Sequence, residues 1–192
     1  MATLRDIRRR IRSVKSTQQI TKAMYMVSAA KLRRAQEGAE SNRPYARAFE
    51  GVVASLAQRA EKKDHPLLKP RDEKKIELVV VTSDRGLCGG FNSNLIRTAE
   101  AFQRERGGQG QGITLSVIGK KARDYFRRRK VELRLAEVDV LRRLEYARAA
   151  DLAQGLISRY LSGEVDGVYL IYSVFKSAMI QRLCAINQSA GV

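Results

Sequence analysis

Leu4, Ile7, Ile11 and Val14 recur at spacings of three, four and three, the period of an apolar row along one side of a helix, as in a coiled-coil seam. The same register continues through Gln18, Thr21, Tyr25, Ser28, Leu32, Ala35 and Ala39, so the row is apolar at both ends and small or polar in its middle. Thr3 can cap the start, and Asp6 falls in the first turn, where a negative charge is favourable. No Pro or Gly interrupts the pattern before Gly38. Arg43-Pro44 is expected to bend or restart the helix, because proline removes an N–H and crowds the preceding turn. A further helical stretch, with Tyr45, Phe49, Val52, Val53 and Leu56 on its apolar side, is expected to run to about Glu61. His65-Pro66 and Lys69-Pro70 then mark a linker.

Size decides what such a helix can do. Forty helical residues span on the order of 60 Å at about 1.5 Å each. A compact chain of 192 residues has a diameter of roughly 40 Å. The helix is therefore expected to project beyond the rest of the molecule.

From Lys74 the pattern changes. Ile76-Glu77-Leu78-Val79-Val80-Val81-Thr82 is a nearly continuous apolar run, as expected for a strand buried on both faces. Gly86 to Gly90 reads as a turn, Phe91 to Arg106 as a helix, and Gly107 to Gly112 as a loop. Ile113 to Ile118 is expected as a second strand, Lys120 to Arg129 as a basic helix and Val131 to Val138 as a third strand. Leu141 to Ser162 reads as another helix and Val168 to Tyr172 as another buried strand. Strands and helices alternating in this rhythm predict an α/β fold: a long projecting N-terminal helix followed by a small Rossmann-like domain with a mainly parallel sheet. The expected division is a helix over 1–62 bent near Pro44, a linker over 63–74, the α/β domain over 75–181 and a tail over 182–192.

Charge sharpens this picture. The formal net charge is +17, which implies acidic partners: nucleic acid, an anionic membrane surface or acidic protein surfaces. About half of it lies in residues 1–34, with ten Lys or Arg against the single acid Asp6. Residues 120–134 hold a second cluster of eight bases against Asp124 and Glu132. Two cysteines, Cys88 and Cys184, make neither a disulfide framework nor a metal cluster and fit a reducing cytosol. No run of about 18 apolar residues is present, and the N-terminus lacks the apolar core of a signal peptide.

Candidate chemistry is sparse. Thr82-Ser83-Asp84-Arg85-Gly86-Leu87-Cys88-Gly89-Gly90-Phe91-Asn92 leads from a strand into a helix, where a Rossmann-like fold would hold a phosphate. Its spacing is neither G-x-G-x-x-G nor a P-loop, so a tight strand-to-helix turn is the favoured reading over a small nucleotide-binding enzyme. Cys88 has no evident histidine base, since the one histidine, His65, lies in the linker. Paired carboxylates and metal-ligand spacings are missing too, so no catalytic residue, cofactor or metal is expected.

Three readings compete for the basic helix: a solvated face, a nucleic-acid-binding surface, and docking within a protein assembly. Its middle separates them. From Ser16 to Ala30 the only charge is Lys22, with Gln18, Thr21 and Tyr25 on one side and Ile20, Met24 and Val27 nearly opposite. A helix low in charge and apolar on two sides reads as one enclosed by protein.

Leu4-Arg5-Asp6-Ile7-Arg8-Arg9-Arg10-Ile11 and the run from Thr17-Gln18-Gln19-Ile20-Thr21-Lys22-Ala23-Met24 to Leu32-Arg33-Arg34 closely resemble the start of the gamma subunit of F-type (rotary) ATP synthases. Thr82 to Asn94 resembles that family's second signature, in the right order. The resemblance implies a non-catalytic rotor subunit whose N-terminal helix pairs antiparallel with a long C-terminal helix, forming a central shaft inside a ring of alpha and beta subunits. It further implies contacts of the α/β domain with the epsilon subunit and the membrane rotor ring, no nucleic acid as partner, and a peripheral location at the cytoplasmic face of the bacterial inner membrane. Leu4, Ile7, Ile11 and Val14 would face the partner helix. Ile20, Met24 and Val27 would face the ring, with Arg8, Arg9, Lys22, Arg33 and Arg34 meeting acidic loops of it. The family continues past Phe175–Gln181 into a further strand and the long helix, whereas Arg182–Val192 does not resemble that continuation. The chain thus reads as C-terminally truncated, and its unpaired seam is expected to self-associate or fray. The alternative is a basic nucleic-acid-binding protein, which predicts steep salt dependence of DNA or RNA binding.

Overall fold

The structure, a computed structural model, describes residues 3–59, 65–67, 71–140, 145–175 and the backbone of 181–187. It divides into two compact units, Met1–Ser55 and Leu56–Val192. The first holds most of α1, a single helix over Leu4–Arg59. Where a bend or restart is expected at Arg43-Pro44, helical assignment continues with Pro44 inside. Pro44 and Glu40 are both exposed, so solvent reaches the Glu40 carbonyl that the missing N–H leaves without its helical partner. Lys69-Pro70, Leu141 and residues 176–180 and 188–192 lie outside the described residues.

In the second unit, β1 (Lys75–Val81), α2 (Phe91–Gly108), β2 (Gly112–Ile118), α3 (Lys120–Arg128), β3 (Leu133–Glu137), α4 (Tyr146–Leu161), β4 (Gly167–Phe175) and β5 (Gln181–Asn187) follow one another. The sheet order is β3-β2-β1-β4-β5. The first four strands in that order are parallel, and β5 runs antiparallel to β4, with Tyr172 opposite Cys184. The fold is thus the expected α/β arrangement. β5 is an added edge strand that the sequence pattern does not predict.

Burial explains the layout. The central strand β1 has Ile76 through Val80 buried, as its apolar run requires. On one face, Ile76, Leu78, Val80, Leu115, Val117 and Ile171 pack against Leu95, Ile96 and Ala99 of α2 and Ala122 and Phe126 of α3. On the other, Val79 and Val168 meet Tyr160 of α4 and Val165 in a smaller apolar cluster. That second face also carries the one polar break in the β1 run. Glu77 is wholly buried, and its Oε1 accepts Ser116 Oγ at 2.6 Å and Arg134 Nε at 2.5 Å. Arg159 Nε of α4 stands 3.1 Å from Oε2, an ion-pair contact whose angle falls short of a hydrogen bond. A buried carboxylate is tolerable only with such partners.

Candidate protein interface

The start of α1 is fixed by a reciprocal cap. Thr3 N and Oγ1 donate to Asp6 Oδ2 at 3.0 and 2.6 Å, and Asp6 N donates back to Thr3 Oγ1 at 3.3 Å. These bonds to Thr3 hold the Asp6 carboxyl below the usual carboxylate range.

Beyond the cap, α1 has no buried residue. Leu4, Ile7, Ile11 and Val14 are 69%, 51%, 51% and 63% exposed. Fully covering an exposed side chain of this kind is worth about 1.5–3 kcal/mol, so the partly exposed row holds on the order of 4–7 kcal/mol of unrealised burial. Helices in globular proteins draw most of their stability from burying such a row. Ile20, Met24 and Val27 are also exposed, as are Arg8, Arg9, Lys22, Arg33 and Arg34. Arg33 is paired with Glu37 at 2.9 Å, an exposed contact that stabilises little. All twelve candidate residues therefore lie on the surface of one helix. Val14 and Lys22 also line one shallow groove with Thr17, Gln18, Thr21 and Tyr25. Thr17 Oγ1 donates to Ser13 O at 3.0 Å and Thr21 Oγ1 to Thr17 O at 2.9 Å, so both hydroxyls are turned onto their own backbone.

The glycine-rich turn sits at the carboxyl end of β1, beside the point where the parallel order reverses between β1 and β4. Doubly wound sheets hold ligands there. Here the polar groups turn inward instead. Thr82 Oγ1 accepts Ala122 N at 3.1 Å, Ser83 O accepts Lys121 N at 3.2 Å, and Asp84 Oδ1 accepts Lys120 N at 2.8 Å. The turn after β1 thus caps the start of α3 and satisfies that helix's first backbone donors. Asn92 draws the turn closed, accepting Ser83 N at 2.9 Å and donating to Arg85 O at 3.2 Å and Cys88 Sγ at 3.0 Å. His65 Nδ1 accepts Leu67 N within its own turn. Among the described residues no His, Cys, Asp or Glu cluster could hold a metal, and no helix is long and apolar enough to cross a membrane.

One surface feature escapes the sequence reading, and a second, the basic cluster of residues 120–134, is where the sequence puts it. Leu87, at the tip of the turn, is fully exposed with φ at 60°, a left-handed conformation uncommon for leucine. No periodicity announces it. The exposed bases of α3 and its end, Lys120, Lys121 and Arg127 to Lys130, surround Asp124, whose carboxyl is lowered chiefly by its bond from Arg123.

The family model described as ATP synthase matches residues 3–188, past Gln181, where the resemblance read from the sequence stops. The ATP synthase gamma chain of Anaeromyxobacter sp. (strain K) is 52% identical over 190 residues, covering 97% of this chain and 66% of that protein. The gamma chain of Pelotomaculum thermopropionicum is 46% identical over 182 residues, covering 95% of this chain and 63% of that one. The chain therefore spans just under two thirds of the length of these relatives. A chain in the cryo-EM structure of the Tetrahymena thermophila mitochondrial ATP synthase central stalk and c-ring superposes with a TM-score of 0.69 at 27% identity, over 88% of this chain and 71% of that one. One from the Euglena gracilis mitochondrial enzyme, at 18% identity and TM-score 0.57, shares the fold. The chain belongs to the ATP synthase gamma-chain family.

Proposed function

We propose that the chain serves in the central shaft of a rotary ATP synthase, coupling proton flow through a membrane rotor ring to ATP synthesis or hydrolysis in a ring of alpha and beta subunits. In this reading it is non-catalytic, and nucleotide chemistry belongs to the beta subunits. The observation that carries the proposal is α1: 56 helical residues without one buried side chain, bearing an apolar row at coiled-coil spacing. Such a helix is stable only when covered.

Two sides of α1 divide the work. Leu4, Ile7, Ile11 and Val14 pair with a partner helix of the shaft. Ile20, Met24 and Val27, in the stretch whose only charge is Lys22, meet the inner wall of the ring, where few ion pairs hold one angle. Arg8, Arg9, Lys22, Arg33 and Arg34 meet acidic loops above and below. The α/β unit meets the epsilon subunit and the membrane rotor, which places the assembly peripherally at the cytoplasmic face of the bacterial inner membrane.

Reconstitution with alpha and beta subunits tests the role directly. Co-purification in a fixed ratio with stimulated ATPase activity is expected, and failure to bind a preformed ring would overturn it. Within the assembled enzyme, Met24→Lys places an unpaired ammonium in an enclosed surface, and proton pumping per ATP is expected to fall by roughly half or more. Unchanged pumping and rotation would remove Met24 from the bearing.

A further inference from the structure

A shaft must hand torque to the body it turns, and the chain leaving α1 enters that body through residues 71–75. These five residues are tied more heavily than a linker needs to be. Arg71 Nη1 donates to Tyr160 O at 2.6 Å, and its guanidinium lies 4.2 Å over the Tyr160 ring. Tyr160 is buried in the cluster on the α4 face of the sheet. Two residues on, Glu73 Oε2 accepts the Tyr169 hydroxyl at 2.7 Å, and Tyr169 is buried on the opposite face, with α2 and α3. Arg106 of α2 closes that tie, donating from Nη2 to Tyr169 Oη at 3.0 Å and standing 3.5 Å from Glu73 Oε2.

The backbone is held as well. Glu73 O accepts Gln111 Nε2 at 2.7 Å, and Asp166 Oδ2 accepts Lys74 N at 3.1 Å and Lys75 N at 2.9 Å. Lys74 O accepts Gly112 N at 2.8 Å. Burial, with the Glu73 carboxylate beside it, pushes the Tyr169 phenol up, so its proton stays in the bond at ordinary pH.

We infer that residues 71–75 form a mechanical strap, with Arg71 and Glu73 as positioning residues that pin the incoming chain to opposite faces of the sheet and carry load into it. The inference rests on the shaft reading for its purpose but not for its mechanics. Tension from α1 reaches the N-terminal end of β1, the central strand, paired on both sides with β2 and β4. Without the strap, the load would fall directly on those ladders. With it, guanidinium stacking and a carboxylate–phenol–guanidinium bond take the load first, and the strand is not peeled from its end.

Single-molecule pulling of the chain tests this, with one handle at the N-terminus and a bio-orthogonal handle at Gly108, whose surroundings are open. In the unsubstituted chain, extension past residue 70 is expected only together with failure of the sheet. In the doubly substituted chain, Arg71→Ala with Tyr169→Phe, that segment is expected to release as a separate earlier step at roughly half the force. A retained sheet-failure step shows the variant folded; if it is lost, Tyr169→Phe alone, which keeps the ring in the core, carries the test. Release of the variant at the same force as the unsubstituted chain overturns the strap. In the assembled synthase, the same double substitution is expected to lower proton pumping per ATP while hydrolysis persists, and unchanged pumping overturns the load-bearing role. If the unsubstituted chain instead fails to join a ring, the shaft reading falls while the pulling result stands.

Discussion

Gly119 shows how much of this fold turns on single atoms. Its φ is 110°, and a Cβ there would lie 2.1 Å from Thr82 O, where no side-chain carbon fits. The same residue precedes α3, whose first N–H groups bond Thr82, Ser83 and Asp84. Gly119→Ala is therefore expected to lower stability by roughly 3 kcal/mol, through strain and a displaced cap, read as a shift in the urea midpoint. Glu77 is the second such position. Glu77→Gln keeps the shape but leaves the mostly buried Arg134 without its counter-charge and Arg159 with only the more exposed Glu164. A loss of about 2–3 kcal/mol in the same urea titration is expected. Neither role is legible from sequence. Glu77 reads there as a lone interruption in an apolar run, because its partners come from β2, β3 and α4. The capping by Thr82 and Asp84 joins residues about forty positions apart, beyond any local pattern.

At the scale of elements, legibility follows burial. β1 shows in the sequence because it is central and buried on both faces, leaving an unbroken apolar run. α1 shows because its seam keeps the helical period, and its cap is local, with Thr3 and Asp6 three residues apart. β5 does not show: it lies at an edge, and Gln181 to Asn187 has no strict alternation. Continuation of α1 through Pro44 is hidden for the opposite reason, since solvent rather than sequence decides whether the interrupted ladder is tolerated. The cap carries a pH dependence with a definite sign. Asp6 has its carboxyl lowered by Thr3, so its contribution is present above the ordinary carboxylate range and is lost as pH falls through it. Protection of the Asp6 and Ile7 amides, after the intrinsic slowing of exchange with falling pH is divided out, is expected to drop on acidification, and Asp6→Asn to abolish that change.

Across the whole molecule, the two units meet different demands. The α/β unit satisfies itself: its apolar side chains cluster on both sheet faces, and the turn that might have held a ligand is used to cap a helix. The helix over Leu4–Arg59 does the reverse and leaves its apolar row uncovered. Sequence periodicity shows the row itself, and the structure shows that none of the described residues buries it. Which of the twelve candidate residues touches which partner is not written in periodicity, since every one of them faces outward from the same helix. Only contacts with other chains would sort them.

The threonines of α1 add a consequence for motion. Because Thr17 and Thr21 spend their hydroxyls on Ser13 O and Thr17 O, they present methyl groups outward rather than donors. Both lie on the seam side of α1, where each directional bond to a partner helix would add about 1 kcal/mol of preference for one register. With the donors satisfied internally, sliding of α1 along such a partner would meet a shallow ripple at these two positions instead of a row of latches.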